Sequence, residues 1–155
     1  MITNIYLRQM SEDDLSFVNN IRNHSSTRKN LRNTQLITIE ETISWFKESK
    51  PRWHIINASG EDVGYIRTSH DTGESICIGC DIDVNKRGNG YAHSAYKIFI
   101  DQLYQEDYIV IWLEVFKNNE IAMNLYKKLG FIEINSSFKD DRQRATMVHR
   151  RNLDV

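Results

Sequence analysis

One proline and two cysteines in 155 residues are too few for a proline-rich linker or a disulfide scaffold. Long apolar runs are missing too. No stretch reaches the ~20 residues that a bilayer-spanning helix needs, and the first fourteen residues, MITNIYLRQMSEDD, have neither the basic start nor the apolar core of a secretory leader. A cytoplasmic chain with no membrane partner is the expectation. Neither sign of charge is in excess, since 20 Lys and Arg stand against 21 Asp and Glu, and without a basic field no nucleic-acid partner is expected. Cys77 and Cys80 have C-x-x-C spacing, but an odd separation in a strand sends the thiols to opposite faces and no second pair follows. The five histidines show no ligand spacing, so no metal is expected.

What is present reads as a single domain spanning residues 1–155, long enough for one core and too short for two ordinary domains. Residues 4–10 form a first strand. Ser11-x-x-Asp14 has the form of a capping box before a helix carrying Leu15, Val18 and Ile21. Thr38-x-x-Glu41 opens a second helix, which Pro51 closes. Strands at 52–58 and 62–70 join through Ser59-Gly60-Glu61. A long strand at 76–84 alternates Ile76, Ile78, Cys80, Ile82 and Val84 with polar or small residues. A helix at 91–105 buries Ala92, Ala95, Tyr96, Phe99 and Leu103 on one side. A strand at 108–115, a helix at 118–129 ending at Gly130, and a hairpin of 131–138 with 145–153 about Lys139-Asp140-Asp141 complete the chain. The order β, α, α, β, β, β, α, β, α, β, β is a mixed α+β layout.

The most informative stretch is 76–92, where a strand turns through Arg87-Gly88-Asn89-Gly90 into a helix. Glycines allow positive φ and close approach of a ligand to the backbone, and a helix start offers unpaired amides to a pyrophosphate. His93 in the third glycine position excludes the dinucleotide fingerprint G-x-G-x-x-G, and the P-loop fails because no G-K-[ST] follows. Arg87-x-x-Gly90-x-Ala92 resembles the acetyl-CoA loop of the GNAT superfamily of N-acetyltransferases, R/Q-x-x-G-x-G/A. Asn119-x-x-Ala122-x-x-Leu125-Tyr126-x-x-x-Gly130-Phe131 is similar to that family's other recurring segment. Val84 stands where many members carry a proline.

The resemblance implies a central mixed, mostly antiparallel sheet with helices on both faces, an acetyl-CoA donor and no metal. It also implies main-chain contacts to the pantetheine from Ile82, Asp83 and Val84. Pyrophosphate contacts would come from Arg87, Gly88, Asn89, Gly90, Tyr91 and Ala92, with a hydrogen bond from Asn119 to the arm. Tyr126 matches the tyrosine that serves as the family's acid, and a phenol of ordinary pKa ~10 can protonate a departing thiolate. Glu114, a lone carboxylate among Ile111, Trp112, Leu113 and Val115, is a candidate base, since apolar surroundings raise a carboxyl pKa. A water chain to Asp81 or Asp83 is the competing assignment.

The acceptor is read from a bias of charge. From Leu15 to Ile39 there is no Asp or Glu, yet Arg22, Arg28, Lys29 and Arg32 are present with His24. Such a segment repels polycations and suits phosphates. Ile21-Arg22-Asn23-His24, followed by Leu36-Ile37-Thr38 and a helix with Trp45-Phe46, resembles the branch that acetylates nucleotide-linked amino sugars, of the pseudaminic acid pathway type. Arg22, Asn23, His24 and Arg28 are then the expected substrate-binding residues. Trp45, Trp53 and Tyr65 could stack on a base or sugar or simply pack. The alternatives are N-terminal acetylation of a protein such as a ribosomal protein, a non-catalytic acetyl-CoA-binding module, or acetylation of charged tRNA. The C-terminal strand offers an edge through which a homodimer could form.

Overall fold

The structure, a computed structural model, describes residues 4–150. Seven strands, β1 (Ile5–Gln9), β2 (His54–Ala58), β3 (Glu61–Ser69), β4 (Ser75–Ile82), β5 (Val110–Phe116), β6 (Phe131–Lys139) and β7 (Arg142–His149), form one sheet in the order β1-β2-β3-β4-β5-β7-β6. Five helices accompany them: α1 (Leu15–Asn23), α2 (Ser25–Arg28), α3 (Ile39–Ser49), α4 (Tyr91–Gln105) and α5 (Glu120–Leu129). Pairing is antiparallel for β1–β2, β2–β3, β5–β7 and β6–β7 and parallel for β4–β5. The mixed, mostly antiparallel α+β architecture is therefore the one expected. No helix among the described residues is long and apolar enough to cross a membrane.

The described chain divides into two compact units, and it passes from one to the other at the end of β3, within β4 and within α4. The first contains residues 4–68 together with Gly79–Phe99, and the second contains Ser69–Ile78 together with residues 100–150.

In the first unit, a core of Met10, Leu15, Val18, Ile21, Ile55 and Tyr65 is covered by Ile39, Ile43, Trp45, Phe46 and Trp53. Local signals fix its elements. Asp14 Oδ2 accepts from the Ser11 amide at 2.9 Å, but the turn it caps is a 3-10 turn, Glu12–Asp14, that leads into α1. Thr38 Oγ1 accepts from the Glu41 amide at 3.1 Å, a cap of about 1 kcal/mol, and α3 ends at Lys50 with φ 44° just before Pro51. The β2–β3 turn has positive φ at both Ser59 (52°) and Gly60 (92°), the tight form that matches strand twist. The expected end of α1 is right, but a separate turn of helix, α2, follows at once. His24 caps it, with Nδ1 accepting from the Ser26 amide at 3.2 Å.

In the second unit, β4 pairs with β5 in the register Ser75 to Val110, Ile76 to Ile111 and Cys77 to Trp112. The β6–β7 hairpin turns on Asp140 and Asp141, φ 50° and 64°, and Gly130 ends α5 in the left-handed region at φ 100°. β7 begins at Arg142, three residues ahead of the expected Ala145, and ends at His149. The expected extension of that strand to Leu153 lies partly outside the described residues. Cys77 and Cys80 form no disulfide and are partly covered, and burial pushes the Cys80 thiol up.

Candidate functional site

The glycine-rich turn belongs to the first unit. β4 stops at Ile82, not at Val84, because Asp83 caps a 3-10 turn, Val84–Lys86, by accepting from the Asn85 amide at 3.1 Å. The main chain of Asp83 is engaged as well: its amide donates to Val63 O at 2.9 Å and its carbonyl accepts from the Lys86 amide at 2.8 Å. Gly88 and Gly90 both lie in the left-handed region, φ 80° and 77°. A Cβ at either would meet nothing within 4 Å. The glycines thus leave the surface over the turn open to a ligand. Asn89 Nδ2 closes the turn on Lys86 O at 2.9 Å. The first bond of α4 runs from the Ser94 amide to Gly90 O. The amides of Tyr91, Ala92 and His93 therefore precede the hydrogen-bonded ladder and carry the positive end of a fifteen-residue helix.

Arg87 does more than project from this turn. Its guanidinium donates to Ser26 Oγ at 2.8 Å and Thr27 Oγ1 at 2.9 Å, and its Nε to Ile82 O at 3.3 Å. The motif arginine thus ties the turn to α2, the element that the sequence reading left out.

A cavity of about 440 Å³ also lies in the first unit, lined by residues of α1, the segment Leu31–Ile37, α3, Trp53 and Arg67. Its walls are aromatic and cationic. Trp45 and Trp53 meet at 4.6 Å between ring centroids, and Trp53 stacks on Tyr65 at 5.3 Å and 10°. The Trp53 indole donates to Thr68 O at 3.1 Å. Tyr65 itself is fully buried, and burial followed by the nearby Asp81 carboxylate raises its phenol well above the ordinary value. Arg22, Arg32 and Arg67 line the cavity, with Glu41 as its one acid.

The four residues expected to bind an acceptor are brought together here, but most of their polar groups hold the 29–38 segment in place. Arg22 donates to Gln35 O at 2.6 Å and Asn33 O at 2.8 Å, and burial lowers its pKa. Asn23 both donates to Ile37 O (2.7 Å) and accepts from the Ile37 amide (3.0 Å). Arg28 donates to Asn23 O and Thr34 O. His24 caps α2. Of the four, Arg22 lines the cavity. Sequence reasoning passed over Arg67, whose Nε pairs with Asp81 Oδ2 at 2.9 Å. The available signal was a glycine inside each of β3 and β4, Gly64 and Gly79, which marks close approach of other groups.

Tyr126, Glu114 and Asn119 belong to the second unit. Tyr126 is half-buried on α5, its ring edge-on to Phe131 at 5.9 Å. Asn119 caps α5, its Oδ1 accepting from the Ala122 amide at 3.3 Å. Glu114 is not the lone carboxylate that its sequence neighbours suggest. Its Oε2 lies 2.8 Å from Arg144 Nε, with the two side chains 20% and 12% exposed. The partner comes from β7, where Thr146 sits opposite Glu114. With a guanidinium beside it, Glu114 does not stand in apolar surroundings, and these no longer carry the argument for a base.

Comparison with known proteins places this arrangement. The family described as "Acetyltransferase (GNAT) domain" matches residues 4–132. The chain belongs to that family and is an acetyl-CoA-dependent N-acetyltransferase. A spermidine N-acetyltransferase from Vibrio cholerae, solved with CoA and spermine, superposes with a TM-score of 0.86 at 18% identity, covering 93% of this chain and 94% of that one. The aminoglycoside enzyme AAC(6')-Ib, with ribostamycin and coenzyme A, gives 0.80 at 17% identity, covering 98% and 99%. The ribosomal-protein-alanine N-acetyltransferase from Brucella melitensis gives 0.77 at 19% identity, covering 92% and 98%. No curated protein matches the sequence.

Proposed function

We propose that the protein acts as a single domain that acetylates the primary amine of a nucleotide-linked amino sugar, of the 4-amino-4,6-dideoxyhexose type. The observation that carries this reading is the cavity wall, where Arg22, Arg32 and Arg67 stand against Glu41 beside the faces of Trp45 and Trp53. Arginines repel polycations such as polyamines and aminoglycosides and suit a diphosphate, while fixed indoles suit a base or sugar ring.

Acetyl-CoA supplies the activated acetyl group as a thioester. In this reading the turn from Arg87 to Ala92 receives its pyrophosphate on main-chain amides. The main chain of Ile82 and Val84 and the side chain of Asn119 are assigned to the pantetheine arm. Asp83 serves by shaping the turn, because its own main-chain groups are engaged. Tyr126 keeps its phenolic proton until a thiolate departs and then donates it. Glu114 takes the proton of the attacking amine, with Arg144 paired to that carboxylate. Arg22, Asn23 and Arg28 shape the cavity by fixing the segment that forms one of its walls, and His24 caps α2 beside them in sequence. The C-terminal strand β7 is not the edge expected of it, because it is paired on both sides, with β5 and with β6. A cytoplasmic homodimer paired instead through β6, the strand at one end of the sheet order, completes the proposal.

Thiol release from acetyl-CoA, measured over UDP-, dTDP- and GDP-linked amino sugars, peptides, spermidine and an aminoglycoside, tests it. Turnover confined to a nucleotide sugar is expected. Turnover confined to peptides or polyamines would overturn the acceptor assignment.

A further inference from the structure

Arg67 lies in the interior of β3 with its guanidinium directly over Gly79 of β4. A Cβ at Gly79 would come within 2.6 Å of Cζ and Nη2 and 2.9 Å of Nη1. That is closer than real Cβ atoms approach, so the guanidinium reaches this depth only because position 79 has no side chain. A second glycine works with the first. At Gly64, on β3, a Cβ would stand 2.4 Å from the Asp81 carbonyl oxygen, so its absence allows the two strands to approach. Asp81, itself 10% exposed, then takes the Nε edge of Arg67 at 2.9 Å. Arg67 remains 34% exposed and forms part of the cavity wall. The depth is allowed by Gly79 and the counter-charge comes from Asp81, and neither residue lines the cavity.

The other central arginine is placed differently. Arg22 directs both terminal nitrogens to carbonyls of the 33–35 segment, which makes it a clamp on the wall. Trp53, which lines the same cavity as Arg67, is held by stacking on Tyr65 and by its bond to Thr68 O. A guanidinium and a held indole on one cavity wall match a phosphoryl group attached to a ring. Three arginines on the wall suit a diphosphate, with its two charges, better than a single carboxylate.

We propose that Arg67, seated on Gly79 and paired with Asp81, is the specificity-determining residue of this cavity and receives a phosphate oxygen of the acceptor. The inference rests on the reading of the cavity as the acceptor site.

Calorimetric titration of inorganic pyrophosphate into the CoA-saturated protein tests it, because CoA occupies the other anion site. Wild type, Arg67→Gln, Arg67→Lys and Gly79→Ala are compared, with acetate as the carboxylate control. Pyrophosphate should bind wild type and weaken about tenfold or more in Arg67→Gln, with partial recovery in Arg67→Lys. Gly79→Ala keeps every charge but displaces the guanidinium, so it should weaken binding too, and it carries the test if Arg67→Gln does not fold. Steady-state kinetics on the nucleotide sugar should show the loss in KM with kcat nearly unchanged. Pyrophosphate that fails to bind the CoA-loaded wild type, or binds Arg67→Gln equally well, would overturn the role of Arg67 even if a nucleotide sugar is turned over. A protein that loses pyrophosphate with Arg67→Gln yet acetylates no nucleotide sugar would refute the acceptor class and leave the role of Arg67 supported.

Discussion

The turn at 87–90 and the cavity beside Trp53 belong to the same unit but are made in opposite ways. The turn works by what it omits. Its two glycines hold positive φ with open space over them, and the groups it presents are backbone amides, the same in any protein. The cavity works by what it assembles: indoles, guanidiniums and one carboxylate from α1, α3, β3 and the segments between. A donor shared by a whole family can be bound by main chain, which tolerates drift in sequence. In the proposed reading an acceptor is chosen by side chains.

That contrast can be broken by experiment. The largest effect should come from Tyr126→Phe, with kcat reduced about a hundredfold or more, as loss of a positioned acid requires, and both KM values little changed. A thiol-release assay reads this, and an unaltered kcat would remove Tyr126 from the chemistry. Gly90→Val comes next. A branched side chain at φ 77° is strained by about 1–2 kcal/mol and projects where the donor should approach. KM for acetyl-CoA should rise severalfold while KM for the acceptor holds. Gly79→Ala should do the reverse, raising the acceptor KM alone. If both glycine variants moved the same KM, the separation of main-chain and side-chain recognition would fail.

The smallest effect is a control. Asp14 accepts two bonds from Arg8 at 2.8 Å each and one from the Ser11 amide at 2.9 Å, and the Arg8 guanidinium, first among the causes, holds its carboxyl below its ordinary 3.8. A depressed folded-state value means the stabilisation is present above pH 3.8 and lost as pH falls through the lower folded value. Asp14→Asn should therefore cost about 1–3 kcal/mol near neutrality, flatten acid denaturation below pH 4, and leave both KM values alone. Urea melts at pH 7 and pH 3 would show it.

Much of the fold was legible because its signals are local. Thr38 and Glu41 are three residues apart, the turn at Ser59-Gly60 is two residues long, and Gly88 and Gly90 stand in the motif itself. The acceptor side was legible only as a bias of charge. Arg22 and Arg28 look the same in a sequence whether their donors face a ligand or a carbonyl, and the carbonyls they hold lie five to thirteen positions away. Arg144 lies thirty residues beyond Glu114, so no window around the glutamate contains its partner. Arg67 was hidden for the same reason, since Gly79 and Asp81 reach it across strands. α2 was missed because four residues are too few for any periodicity to register.

Trp45, Trp53 and Tyr65 form a run of rings, 4.6 Å and then 5.3 Å from centroid to centroid. At such spacing the ring transitions couple, and the coupled band is sensitive to anything that settles against the outer ring. Trp112, the third tryptophan, packs on His70 at 5.5 Å in the other unit, so its signal arises elsewhere. The enzyme thus carries a built-in optical reporter, and under the proposed assignment of the cavity near-ultraviolet circular dichroism should follow acceptor arrival on unlabelled protein, independently of turnover.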